Sequence, residues 1–173
     1  EAREASRNAY YTVQGRTAKE VYGSIRSASP RVAPNATFAF TAIATKTNSR
    51  LKEAGGACSY GSFKTHGFYV FTLPKHMSPA QLPTATSANW MSFAAYLEAH
   101  EHGQRDIWRQ CLADYDGQAL GLSASNCKEL DLRREKLFNR IKRACVAKDE
   151  AYDFAFRKEV RKQPFVIEAL QGN

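Results

Sequence analysis

Long stretches of helical periodicity in the second half of the chain constrain its fold more than any other feature. In the first stretch, the positions of one helix face recur at alternating intervals of three and four residues, a spacing typical of a helix that buries one side. These positions are Trp90, Phe93, Leu97, His100, Gln104, Ile107, Trp108 and Cys111. Ser87 is the predicted N-cap, and Asp116-Gly117 is predicted to end the helix after Tyr115.

A second long helix is predicted near the end of the chain. Asn126 opens it, and Glu129 three residues later completes a capping box. Pro164 is predicted to end the helix at Gln163. The inner face consists of Leu130, Leu137, Ile141, Ala144, Lys148, Tyr152 and Ala155.

The first half is dominated by strand patterns around one short helix. Residues 10–13 predict a short strand, and Thr17 with Glu20 predicts a capped helix that ends at Ser29-Pro30. Residues 36–46 alternate with a period of two and predict a second strand. The polar segment 48–56 is expected to be a loop.

Two further strands, 57–63 and 67–73, are predicted to form a hairpin joined by 64–66. Short connections favour antiparallel pairing, so the sequence predicts a small antiparallel sheet of three to four strands. With one short helix and two long C-terminal helices packed on the sheet, the fold class is α+β. A single domain is expected over 1–173, made of a strand-rich half (10–73), two long helices (87–163) and a tail (164–173).

The total composition excludes several protein classes. At 43% hydrophobic and 12% aromatic residues, the chain can bury a core, which excludes a disordered protein. No apolar run reaches the roughly 18 residues that span a bilayer, so no membrane span is expected. The polar start at Glu1 is typical of a secreted or periplasmic protein whose signal peptide has been removed.

The net charge of +8 predicts attraction to anions, among them nucleic acid, lipid head groups and cell-wall polymers. Both signs are mixed along the last helix, which favours a solvated face over a binding surface. Nucleic acid is not the expected partner, because no aromatic residues interleave the basic ones as a stacking platform requires.

Four widely spaced cysteines, none in a C-x-x-C pair, argue against a cysteine zinc site. They are compatible with two disulfides formed in an oxidising compartment, although four buried thiols are the alternative. Three pairings are possible, and the sequence leaves them open. The cysteines are Cys58, Cys111, Cys127 and Cys145.

The segment around His100 has half of a zinc-protease motif. In H-E-x-x-H, two imidazoles one helical turn apart hold the ion, and the intervening Glu acts as general base. His100 and Glu101 fit these roles, but Gln104 occupies the place of the second histidine. His102 lies about 200° around the helix from His100 and faces the other way. These residues therefore predict no zinc, with His100 instead a buried, hydrogen-bonded core residue; a different site that includes His66 or His76 is a further alternative.

The order of several motifs is similar to that of a bacterial family of unknown function described as predicted secreted zinc-dependent proteases. The motifs are Tyr10–Gly15, Gly55–Cys58, Thr72–Pro74, Trp90, His100–Ile107, Cys127 and Ala151–Asp153. The resemblance implies a zincin-like fold, with His100 as the first ligand and Glu101 as the base. The family's remaining ligands fall on Gln104 and near Lys158, and Phe156 stands where the family has Thr.

The resemblance also implies residues that support the metal ligands, and it implies two disulfides. Asp106, Tyr152 and Asp153 fall on positions expected to support the metal ligands from outside. The family cysteines fall on Cys58 and Cys127, which leaves Cys111 and Cys145 as a second bridge. If Lys158 reaches the metal position, its ammonium is expected to pair with Glu101; the alternative is that Lys158 points into solvent.

These observations favour a non-catalytic relative of zinc proteases, without a cofactor, that binds a peptide, an envelope protein or an anionic polymer. The alternative is an active zinc metallopeptidase with an atypical ligand set drawn from His100, Gln104, His102 and another residue. A nucleic-acid-binding module is the third hypothesis.

Overall fold

A computed structural model describes residues 5–29 and 38–172 and has a mixed α+β fold. The strands are β1 (Ala5–Val13), β2 (Phe40–Ala54), β3 (Ala57–His76) and β4 (Ser123–Ala124). The helices are α1 (Ala18–Ala28), α2 (Thr84–Leu120), α3 (Cys127–Glu159) and α4 (Pro164–Gln171), with short 3₁₀ turns at Pro79–Gln81 and Val160–Lys162. The α+β prediction is confirmed. Of the predicted boundaries, 36–37 and Pro30 lie outside the described residues.

The described strands form one sheet in the order β1-β3-β2, and β4 pairs antiparallel with the start of β3. β2 and β3 are joined by Gly55 and Gly56, whose φ angles of 59° and 78° suit a tight two-residue hairpin turn. The prediction of a loop over 48–56 is therefore wrong, because β2 continues to Ala54. Polar side chains fit this strand because both of its faces are exposed beyond Ile43.

β3 is one strand of 20 residues, so the predicted hairpin with a connection at 64–66 is also wrong. Every second residue of this strand is buried, beginning with Cys58 and Tyr60. After two exposed residues the alternation continues at Phe63 and Thr65, one position later than a regular strand would place it. A shift of one residue in this alternation is the mark of a β-bulge, in which an extra residue turns the following side chains to the other face. The change of phase thus lies at Gly61 and Ser62, and residues 64–66, predicted as the connection, are part of the same strand.

The first long helix, α2, is longer than predicted. α2 begins at Thr84 rather than Ser87, and it passes through Asp116-Gly117 to Leu120. Asp116 does not end the helix because its buried carboxylate accepts the backbone N–H of Thr65, at 2.9 and 3.1 Å. The predicted tail contains α4, which begins with Pro164 at a position where the missing N–H costs nothing.

The chain forms two compact units, each made of segments that are distant in sequence. The first, called here the disulfide unit, includes the described residues 5, 43–68 and 105–151. Its buried cluster joins β3, β4, α2 and α3 through Cys58, Tyr60, Phe63, Tyr115, Ala119, Ala124, Leu130 and Leu137.

The second unit, called here the histidine unit, includes the described residues 6–29, 38–42, 69–104 and 152–172. In it α1 packs against α4, and the buried ring of Phe165 stacks on Phe93 at 5.2 Å. The Glu168 carboxylate accepts hydrogen bonds from Thr86 and Asn89. None of the helices in the described part of the chain is both long and apolar enough to cross a membrane.

Candidate functional site

The candidate site lies in the histidine unit, where α2 and α3 bring three polar side chains together. His100 and Gln104 are one helical turn apart, so both project from the same face of α2. His100 Nε2 and Gln104 Nε2 each lie 2.9 Å from the same oxygen, Asp153 Oδ1. The imidazole that the resemblance assigns to a metal therefore has a carboxylate within hydrogen-bond distance. We call these three residues the Asp153 cluster.

Aromatic rings of α3 stack on the His100 imidazole. The Tyr152 ring is nearly parallel to it at 4.8 Å between centroids, and the Phe156 ring lies at 3.8 Å. Phe156 stacks in addition on Tyr96 at 5.4 Å. Burial raises the pKa of Tyr96, and the nearby Glu159 carboxylate raises it further. The imidazole is thus held by rings as well as by a hydrogen bond.

Gly103 makes the close approach of Tyr152 possible. A Cβ atom at residue 103 would lie 2.1 Å from the Tyr152 hydroxyl oxygen and 2.6 Å from the ring carbon that bears it. Contacts this short are prohibitive, so any larger residue would displace the tyrosine ring. Because Asp153 follows Tyr152 directly, Gly103 also fixes the position of the carboxylate that His100 meets.

Glu101, the residue expected to act as general base, is buried. It is 2% exposed, and the Thr41 hydroxyl donates to its Oε2 atom at 2.5 Å. A buried carboxylate needs such a donor, because its desolvation is otherwise unfavourable. The arrangement orients Glu101 toward β2 and limits its access to solvent.

Three predicted site residues lie elsewhere. His102 stacks on Phe71 at 4.9 Å and has Glu98 at 4.0 Å, contacts that differ from those of His100. The exposed Lys158 has its ammonium 4.2 Å from the centre of the exposed Phe154 ring. The structure thus places Lys158 on the surface and not against buried Glu101, since a solvated ammonium keeps its hydration there.

Asp106, expected to support a metal ligand, is also a surface residue. Its carboxylate pairs with Arg105 at 2.9 Å and with Arg109 at 3.6 Å. The hydrogen bond from Arg105 holds the pKa of Asp106 below its ordinary value of 3.8. These local partners on one exposed helix face account for the residue without a site.

The residues present do not fit a zinc-protease site. Such a site requires three strong ligands, and here one imidazole and one carboxylate stand beside a neutral amide. Within the described residues, one group of three potential ligand side chains is close enough to hold a metal, and it is formed by Glu53, Cys58 and Cys127. Both of these cysteines are in a disulfide, so their sulfur atoms are poor metal ligands.

The structure pairs Cys58 with Cys127 and Cys111 with Cys145, the two bridges that the resemblance implies. Both lie in the disulfide unit. They join cysteines that are 69 and 34 positions apart in the sequence, respectively. The described part of the chain contains no free thiol.

A polar cavity of about 650 Å³ in the histidine unit is formed by other residues, among them Arg16, Glu20 and His76. Both ring nitrogens of His76 are engaged, since Nε2 lies 3.0 Å from the Gly15 carbonyl and Nδ1 accepts the Ser78 N–H. His76 is therefore a structural histidine, and the alternative metal site that included it receives no support.

The sequence predicted the three residues of the Asp153 cluster as site residues, but Asp153 and the neighbouring Tyr152 have roles that differ from the predicted ones. Asp153 and Tyr152 were expected outside the metal ligands, whereas both contact His100 directly. Phe156 was noted as a departure from the family pattern, and its role as a ring partner of His100 was missed. The spacing of 152 and 156 by one helical turn was the available signal. Thr41 had no signal, because its contact with Glu101 joins segments 60 residues apart.

Comparison with known proteins gives one match. The model of a bacterial protein family of unknown function (DUF922) covers residues 8–157 of the chain. No curated protein and no solved structure matches the chain.

Proposed function

Because this chain belongs to the bacterial family of unknown function DUF922, with its site closed by internal hydrogen bonds, we propose that it is a non-catalytic member that acts by binding a partner. The candidate partners are a peptide, an envelope protein or an anionic polymer. The resemblance to zinc-dependent proteases then describes ancestry, and the segment around His100 serves to hold the fold.

The single observation that carries this proposal is the shared acceptor. His100 Nε2 and Gln104 Nε2 both lie 2.9 Å from Asp153 Oδ1. A metal could bind His100 Nε2 only by displacing this contact, and it would gain one imidazole, one carboxylate and one weak amide ligand. A hydrolytic mechanism also needs a base with access to water, whereas Glu101 is 2% exposed and hydrogen-bonded to Thr41.

We further propose that the protein works outside the cytoplasm, as a secreted or periplasmic protein. Two disulfides support this location, because they persist in oxidising compartments and are rare in the cytosol. The positive net charge suits partners in the bacterial envelope, where anionic polymers are abundant.

Metal analysis of the purified protein tests the proposal. We expect far less than one zinc ion per chain after dialysis against zinc-containing buffer, and the same value for His100→Ala. His102→Ala is the matched control, since it removes a histidine of the same helix outside the Asp153 cluster. One zinc ion per chain that disappears in His100→Ala, together with peptide cleavage abolished by a chelator, would disprove the proposal.

A second candidate function follows from the position of Asp153. Its Oδ1 atom lies beside both His100 and Gln104, and the side chain is 41% exposed, so solutes can reach it. These three residues would be the atypical ligand set of an active metallopeptidase. Loss of bound zinc in Asp153→Ala, but not in His102→Ala, would favour the set that contains Asp153.

A further inference from the structure

The outer strand of the sheet, β2, has an exposed edge. In the order β1-β3-β2 it lies at the end, so no described strand pairs with its outer row of backbone N–H and C=O groups. Every residue from Ala44 to Ala54 is exposed. Unpaired edges of this length are templates for another extended chain, and proteins either protect them or use them for binding.

Three cations project from one face of this strand. Side chains alternate along a strand, so Lys46, Arg50 and Lys52 share a face, over roughly 20 Å at about 3.4 Å per residue. None of the three takes part in the ion pairs found among the described residues. The one acidic residue of the strand, Glu53, is an odd number of positions from each of these cations, so it projects from the opposite face.

The neighbouring strand leaves these cations uncovered. The Ser59 hydroxyl donates to the Lys52 carbonyl at 3.4 Å, which fixes the pairing of β2 with β3 near the turn. A Cβ atom at Gly61 would lie 3.7 Å from the Lys52 Cβ, so a residue without a side chain adjoins the basic face. These small neighbours leave the side chains of Arg50 and Lys52 free to reach across the edge.

Charge selects among the possible occupants of this edge. A second copy of β2 would bring Lys46, Arg50 and Lys52 beside the same cations of its partner, and like charges on adjacent strands are unfavourable. An acidic strand would place carboxylates opposite them and form favourable pairs. A flexible anionic polymer would satisfy the cations but not the backbone donors and acceptors of the edge.

We propose that the edge of β2 between Lys46 and Lys52 binds an acidic polypeptide segment as an added strand. The inference rests on the proposed binding function and gives it a partner of defined chemistry. All the residues involved lie in the disulfide unit, whereas the Asp153 cluster lies in the histidine unit.

Fluorescence anisotropy with a labelled peptide of alternating glutamate and threonine tests the proposal. We expect saturable binding in the presence of a chelator, with the peptide recovered intact by mass spectrometry. Lys46→Glu/Arg50→Glu should weaken binding about tenfold or more, because two attractive pairs become repulsive. Lys142→Glu/Arg143→Glu, which changes the net charge equally on exposed positions of α3, should leave binding within about twofold.

Two further peptides separate strand addition from simple charge attraction. A peptide with glutamine in place of glutamate should bind more weakly, and an acidic peptide that is N-methylated at every residue should not bind, because it lacks the backbone donors on both of its edges. Equal binding of the methylated peptide, equal loss in the α3 variant, or no saturable binding would overturn the inference. Zinc content decides the non-catalytic assignment separately, so failure of one does not imply failure of the other.

Discussion

At the scale of single residues, the Asp153 carboxylate determines what His100 can do. One of its oxygens meets two donors, and the imidazole is stacked on Tyr152 and Phe156. A hydrogen bond to a charged group contributes about 1.5–3 kcal/mol, and leaving a buried donor unpaired costs a similar amount. The cluster therefore has a sufficient structural reason to exist without a metal.

Gly103 gives the sharpest prediction at this scale. We expect Gly103→Ala to lower the free energy of unfolding by about 2 kcal/mol, because the added methyl group would overlap Tyr152. This cost exceeds the gain of up to about 1 kcal/mol that alanine brings to a helix interior. Urea denaturation measures the difference.

Gly117→Ala is the matched control, because it lies in the same helix and an added Cβ would meet nothing within 4 Å. It should be neutral or stabilising by up to about 1 kcal/mol. In a Tyr152→Ala background, Gly103→Ala should lose most of its cost. Equal effects of the two glycine variants would show that Tyr152 does not contact the helix backbone at residue 103.

At the scale of elements, the β2–β3 hairpin depends on a turn and a change of phase. Gly55 and Gly56 supply two left-handed residues, and the alternation of buried residues in β3 shifts between Tyr60 and Phe63. A one-residue shift reverses every later side chain, so it directs Tyr69, Phe71 and Leu73 to the buried side. The hairpin thus presents one strand to the core and leaves the other exposed.

The turn predicts a difference between two substitutions at one position. Gly55→Val should lower the free energy of unfolding by about 1–2 kcal/mol, because a β-branched residue is disfavoured at its φ of 59°. Gly55→Asn should cost much less, since asparagine with glycine is a favoured pair in such turns. Thermal unfolding compares the two variants, and equal melting temperatures would contradict the tight turn.

At the scale of the molecule, both disulfides lie in one of the two units. The bridge from Cys58 to Cys127 joins β3 to the start of α3, and Cys111–Cys145 joins α2 to α3. The disulfide unit is assembled from segments that are far apart in sequence. Bridges between such segments lower the entropy of the unfolded chain most.

Removing the longer bridge should be strongly destabilising. With a sequence separation of 69, Cys58→Ser/Cys127→Ser should lose about 4.4 kcal/mol in the chain-entropy model. Cys111→Ser/Cys145→Ser removes the bridge between cysteines 34 positions apart and should lose slightly less, about 3.8 kcal/mol. Guanidinium denaturation gives both values. Thiol titration of the protein without substitutions, after unfolding, should detect no free thiols. Four titratable thiols would contradict both bridges.

What the sequence determined by itself was local. Thr17 accepts the N–H of Glu20, and Asn126 accepts that of Glu129, as the capping patterns predicted. Helical periodicity located α2 and α3 and gave the α+β class, because side chains one turn apart share a face whatever the rest of the chain does. His100 and Gln104 were placed on one helix face in the same way, and Glu101 was assigned to the candidate site from the H-E-x-x-H pattern.

Only the tertiary structure decided how these elements are completed. Asp153 as the partner of His100, Thr41 as the partner of Glu101, and Asp116 as the acceptor of the Thr65 N–H each join residues 51 or more positions apart. Such partners depend on the packing of one element on another, which no local pattern encodes. The sequence alone therefore showed that the second histidine of the motif is absent. The fold decided which carboxylate contacts the first histidine.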